Sequence, residues 1–167
     1  WLCESFFTNT DTGNIRFYKD KTKNSKWRWV FFDADWALFP STYKQNYIEN
    51  YLNPAGHGVS QAFSTTIMCN LIKNKKFRSR LIQIHAKHLK TTFSTERMLS
   101  IYDKLVDEID DEMKYHTKRW NSVNYDSWKS SVNELRGIIE QKRSIFIEDM
   151  IETFNLSKSE IALIKCE

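Results

Sequence analysis

Two short polar stretches hold residue types that packing alone does not require. Thr8-Asn9-Thr10-Asp11-Thr12-Gly13-Asn14 precedes an alternating segment, and Asp33-Ala34-Asp35 closes an aromatic one. Carboxylate and carboxamide oxygens are hard ligands. They suit Mg²⁺, which takes one or two carboxylates and fills its other positions with water and substrate phosphate. If the chain between the two stretches folds as a hairpin turning near residues 21–25, Asn14 and Asp33 sit at the same open end. Asp11, Asn14, Asp33 and Asp35 then converge. Each stretch alone also fits a plainer role: Asn, Thr, Asp and Gly are turn formers, and Asp33 and Asp35 suit a strand end that caps the next segment. Their joint occurrence favours chemistry, because a charge closing a strongly apolar strand is costly without a partner. Phosphoryl transfer asks for little more: one Asp to orient the attacking hydroxyl, and an Asn and a second Asp for metal.

The elements that must position these residues divide near residue 60. Asn14–Asp20 alternates, and Lys26–Asp33 is rich in aromatic and β-branched residues, with the polar Lys21–Ser25 between them. Those are the signals of two strands and a hairpin. The part before residue 60 reads as extended. Residues 40–60 hold both prolines and two glycines and read as a loop, with a short helical turn at Tyr47–Tyr51.

From Gln61 the period is helical. Phe63, Ile67 and Leu71, then Phe77, Leu81, Ile84, His85 and Leu89, recur at three- and four-residue steps with a break near Asn74. Ser94 is placed to cap a helix whose apolar stripe is Met98, Ile101, Tyr102, Leu105, Ile109 and Met113. A longer helix carries Trp128 through Phe154 despite Gly137. Ser157 and Glu160 then match a capping box that opens a last helix at Ser159. The stripes are expected to bury one another. The fold expected is mainly α with a small β-hairpin: residues 1–39 form the catalytic-loop and metal-binding hairpin, and residues 61–167 a helical bundle.

Composition narrows the function. The 167 residues include 6 Trp, 7 Tyr and 11 Phe and are 41% hydrophobic, which excludes a disordered tail. The 25 Lys and Arg against 21 Asp and Glu leave a formal charge of +4, too mild and too spread for a nucleic-acid groove. No apolar run is long enough to span a membrane. Cys3, Cys69 and Cys166 are odd in number and widely spaced, which argues against a disulfide framework and a zinc site. His85 and His88 lack an acidic companion and read as packing or surface residues. Trp1–Phe7 reads as the middle of a fold, so a longer protein is expected.

The blocks NTDTGNIRFYKD (9–20) and KWRWVFFDADWALF (26–39) resemble the CotH kinase family, the spore-coat-protein-H-like atypical protein kinases. FSTTIMCNLIKNKKFRSRLI (63–82), TTFSTERML (91–99) and KRSIFIEDMIETFNLS (142–157) extend the likeness through nearly the whole chain. The resemblance implies the C-terminal, helical lobe of a protein-kinase-like fold, with ATP and Mg²⁺ as cofactors and a Ser/Thr-rich protein as phosphoryl acceptor. Carried over by position, Asp11 is the catalytic aspartate. Asp33 and Asn14 bind the metal–nucleotide, and Asp35 is a further acidic metal position. Only Thr12 and Gly13 separate Asp11 from Asn14, a shorter spacing than the family usually has. A Gly-rich phosphate loop and a strand Lys are missing, which implies an N-terminal lobe upstream and an inactive fragment. By resemblance the protein belongs to a spore coat or a bacterial cell surface. Two other readings compete: a metal-dependent phosphohydrolase or nuclease on the same acidic residues, and a non-catalytic coat or surface assembly domain, a pseudokinase.

Overall fold

A computed structural model describes residues 1–11, 16–22, 24–31, 33–53, 63–120 and 123–165. Helix α1 (Leu2–Phe6) comes first, followed by strands β1 (Arg16–Tyr18) and β2 (Arg28–Val30). The helices α2 (Tyr47–Tyr51), α3 (Phe63–Leu71), α4 (Lys75–Lys90), α5 (Thr95–Arg119), α6 (Tyr125–Phe154) and α7 (Lys158–Lys165) complete the chain. The architecture is the expected one, mainly α with one small antiparallel hairpin. Among the described residues no helix is long and apolar enough to cross a membrane.

The helix starts follow side-chain chemistry. Orphan N–H groups at a helix N-terminus need acceptors, and Asn and Ser supply them locally. Asn74 Oδ1 accepts from the N–H of Lys76 and Phe77, Ser94 Oγ from Arg97, and Asn124 Oδ1 from Ser127. The capping box before α7 forms in both directions. The Ser157 N–H donates to Glu160 Oε2 at 2.8 Å, and the Glu160 N–H donates to Ser157 Oγ at 3.3 Å. The helix begins at Lys158, one residue before the position read from sequence. α6 stops at Asn155, which takes a left-handed φ of 45°, a conformation Asn tolerates better than most residues.

The core joins the two halves of the chain. Phe6 of α1 stacks on Phe93 at 4.7 Å and meets Phe146 of α6 edge-on at 5.2 Å. Ile48 of α2, Ile82 and Leu89 of α4, Met150 of α6 and Ile164 of α7 are fully buried around them. Each such side chain contributes about 1.5–3 kcal/mol relative to exposure. His85 lies in this core as a packing residue, its ring parallel to Phe146 and its Nδ1 2.8 Å from the Leu81 carbonyl. His88 sits at the surface, with its Nδ1 2.9 Å from Thr92 Oγ1.

Two expectations change. The segment Leu2–Phe6 is helical rather than extended, because burial of Phe6 between aromatic partners overrides weak local preference. The hairpin strands are exposed along their length. The stripe on α5 is not buried either: no α5 residue is buried, and Ile101, Leu105 and Ile109 are open to solvent. α5 packs chiefly on α6, and a two-helix hairpin can cover only one side of each partner. Polar bonds contribute to that contact. Arg136 Nε donates to Asp103 at 3.1 Å, Lys129 to Asp110 at 3.0 Å, and Tyr102 Oη to the Val132 carbonyl at 2.9 Å.

Candidate functional site

The hairpin register sets where the acidic residues can lie. Arg16 pairs with Val30, Phe17 with Trp29 and Tyr18 with Arg28. Arg16–Val30 is therefore the last rung at the open end. Asp11 lies five residues before that rung and Asp33 three residues after it, so both stretches leave the sheet at the same end. Two contacts further along the chain tie them together. The Leu38 N–H donates to the Phe7 carbonyl at 2.8 Å, and Phe7 stacks on Phe31 with centroids 6.0 Å apart. Phe7, four residues before Asp11, is thus tied to residues on both sides of Asp33.

Asp33 and Asp35 are exposed and Asp11 is half-buried. Asp33 meets solvent together with its strand, so the burial cost expected for a charge at that strand end does not arise. Asn14 lies outside the described residues, as do Thr12, Gly13 and Phe32. Among the described residues no three His, Cys, Asp or Glu side chains gather into a metal-holding group. Exposed carboxylate oxygens in the Asp33–Asp35 stretch nonetheless match the donor set of Mg²⁺, which holds water and phosphate more readily than a full protein cage.

Backbone strain marks the same region. Among the described residues, four other than Gly have left-handed φ: one is the candidate Asp33 at 57°, and two others lie three residues before Asp11 and five after Asp33, Thr8 at 48° and Leu38 at 54°. Such conformations cost about 1–2 kcal/mol outside Gly and Asn/Asp, and they collect at functional sites where the surroundings enforce them.

The approach to Asp11 is built from α1. The Thr8 N–H donates to the Ser5 carbonyl at 3.3 Å and the Asn9 N–H to the Glu4 carbonyl at 3.1 Å. That pair of bonds is a Schellman motif, with Thr8 in the left-handed position that Gly usually takes. Asn9 then uses both ends of its side chain. Its Nδ2 donates to Glu4 Oε2 at 2.8 Å, and its Oδ1 accepts from the Asp11 N–H at 3.2 Å. Burial pushes the Glu4 carboxyl above its ordinary value, the Asn9 bond pulls it down, and the nearby Asp11 charge adds to the rise. Burial likewise raises the Tyr51 phenol, with the charges of Glu4 and Asp11 contributing. In the sequence, Asn9 is only one turn former among several. The Asn9-Thr10-Asp11 spacing is an Asx-turn signal, but nothing local points to Glu4.

A helical domain carrying one short hairpin, with acidic residues at the hairpin's open end, is the helical lobe of a kinase-like fold. The family model described as CotH kinase protein matches residues 2–146, and the chain belongs to the CotH kinase family. No curated protein and no solved structure matches it.

Proposed function

We propose that this chain is the metal-binding, helical part of a protein kinase that transfers the ATP γ-phosphoryl group to Ser or Thr hydroxyls of a protein. The observation that supports the reading is that the Asp11 and Asp33-Ala34-Asp35 stretches flank the same open end of the hairpin, with Phe7 bound to Leu38 and stacked on Phe31. Asp11 orients the acceptor hydroxyl and takes up its proton as the acceptor O–P bond forms and the γ-phosphoryl's bond to the leaving ADP breaks. Asp33 and Asn14 hold the metal–nucleotide, and Asp35 supplies a further acidic oxygen. Mg²⁺, when bound, neutralises phosphate charge as the γ-phosphoryl group moves. The Gly-rich loop and the Lys that grip the phosphates come from an N-terminal lobe outside these residues. A spore coat or bacterial surface location follows the family.

One observation favours a second, non-catalytic reading. On the aromatic face of the hairpin Trp27 lies 5.4 Å and Trp29 5.9 Å from Phe17, and all three rings are more than half exposed. An exposed apolar patch of that kind suits a surface that binds another body, as in a pseudokinase that assembles a coat. The two readings separate in one assay. The full protein is mixed with Mg²⁺, γ-labelled ATP and a Ser/Thr-rich acceptor, beside its Asp11→Asn variant. Incorporation that Asp11→Asn abolishes supports the kinase. Incorporation no greater than a no-protein control, in a protein that is folded, favours the assembly domain.

A further inference from the structure

The segment that carries Asp11 is fixed more firmly than a surface turn needs. Phe6, wedged between Phe93 and Phe146, holds α1 in the core. The Schellman turn at its end holds Asn9 by its backbone, and Glu4 holds the same residue by its side chain. Asn9 is 1% exposed and Thr8 is fully buried. Thr8 also keeps a left-handed φ although it is β-branched, a choice that costs stability and that a Gly would avoid. The Glu4 carboxylate can only accept, and Asn9 is the side-chain type that can donate to it while still accepting the Asp11 N–H. An Asp at position 9 would lose the donor and set two carboxylates against each other.

We propose that Asn9, backed by Glu4, is a positioning residue that sets the backbone of Asp11 and through it the direction of the Asp11 carboxylate. The inference rests on the reading of Asp11 as the group that orients the acceptor hydroxyl. Its expected signature is a loss of turnover with nucleotide binding retained, because Asn9 is buried and its side chain is spent on Glu4 and the Asp11 N–H. Misplacing a reacting group by about 1 Å costs on the order of 100-fold in rate.

The test uses the full protein with Mg²⁺-ATP and a Ser/Thr-rich acceptor peptide, below its melting temperature, with kcat and KM measured separately. Asn9→Ala is expected to lower kcat by about 10- to 100-fold while KM for ATP moves by less than about threefold. Glu4→Gln keeps an oxygen that accepts from Asn9 Nδ2, so it should stay within about threefold of the parent in kcat. Glu4→Ala removes the anchor and should fall toward Asn9→Ala. A purely structural Asn9 would lower the folded fraction and the melting temperature without this split between kcat and KM. If Asn9→Ala fails to fold, Glu4→Ala carries the same comparison with the Asn9–Asp11 partners intact. In either variant, faster hydrogen exchange at the Asp11 amide, read by NMR, supports the brace without reference to activity. Asn9→Ala and Glu4→Ala with parental kcat, beside an inactive Asp11→Asn, overturn the brace and leave the kinase reading standing. An active Asp11→Asn overturns the role of Asp11 itself, and the brace with it.

Discussion

Asp33 combines two properties that substitution can separate: a left-handed backbone and a carboxylate. Its φ of 57° lies in the region that Asn and Asp tolerate and that Ala resists by about 1–2 kcal/mol. The side chain is exposed, so no cavity term enters. Asp33→Asn keeps a side chain that tolerates this φ, so it adds no backbone strain to the parent. Asp33→Gly relieves the backbone but loosens the unfolded chain, and these effects nearly cancel. Asp33→Ala keeps the strain and loses the tolerance. For a chain of this size 1 kcal/mol moves the melting midpoint by about 2–4 °C, so Asp33→Ala should melt about 2–8 °C below Asp33→Asn. Catalysis should rank differently. All three variants lose the carboxylate proposed to hold the metal, and removing one group that stabilises transition-state charge costs about 10²–10³ in kcat. The assays are thermal melting and label transfer from γ-labelled ATP. Equal melting of Asp33→Ala and Asp33→Asn would show that the left-handed backbone is not what the residue supplies. A rate for Asp33→Asn within tenfold of the parent would remove Asp33 from the metal site.

Two further outcomes concern the core that carries the site. Burial lowers the His85 pKa from 6.5 to about 4, so the folded ring stays neutral while the unfolded ring gains a proton as pH falls through about 6.5. Stability is then lost on acidification, by about 2 kcal/mol between pH 7 and pH 5. His85→Phe should flatten that part of the denaturation-versus-pH curve, and an unchanged slope would reject the assignment. Phe146 is fully buried between Phe6 and His85, so Phe146→Ala should cost about 3–5 kcal/mol in a urea titration. A cost below about 1 kcal/mol would mean that α1 does not lean on α6 as described.

The class of the protein and the type of most of its elements are written in local signals. Period-2 and aromatic runs mark β1 and β2, three- and four-residue steps mark the helices, and Asn74, Ser94 and the Ser157–Glu160 box mark their starts. A cap or an alternating strand is settled within a few residues, so no distant partner is needed to read it. The family too is legible, because the residues from Asn9 to Phe39 carry their own spacing. Other features exist only in the folded chain. Leu2–Phe6 becomes a helix because Phe6 finds Phe93 and Phe146, residues far along the chain. The stripe of Ile101, Leu105 and Ile109 is as regular as any buried one, yet its exposure depends on whether a third element covers it, and period says nothing of that. Tying the chain before Asp11 to the chain around Asp33 took a bond between Leu38 and Phe7 and a ring contact between Phe7 and Phe31. Glu4 gained its place beside Asn9 from the turn at the end of α1, where a left-handed Thr8 reverses the chain. Which polar residues meet is a property of that path, because hydrogen bonds act over about 3 Å, and only the folded chain brings such groups within reach.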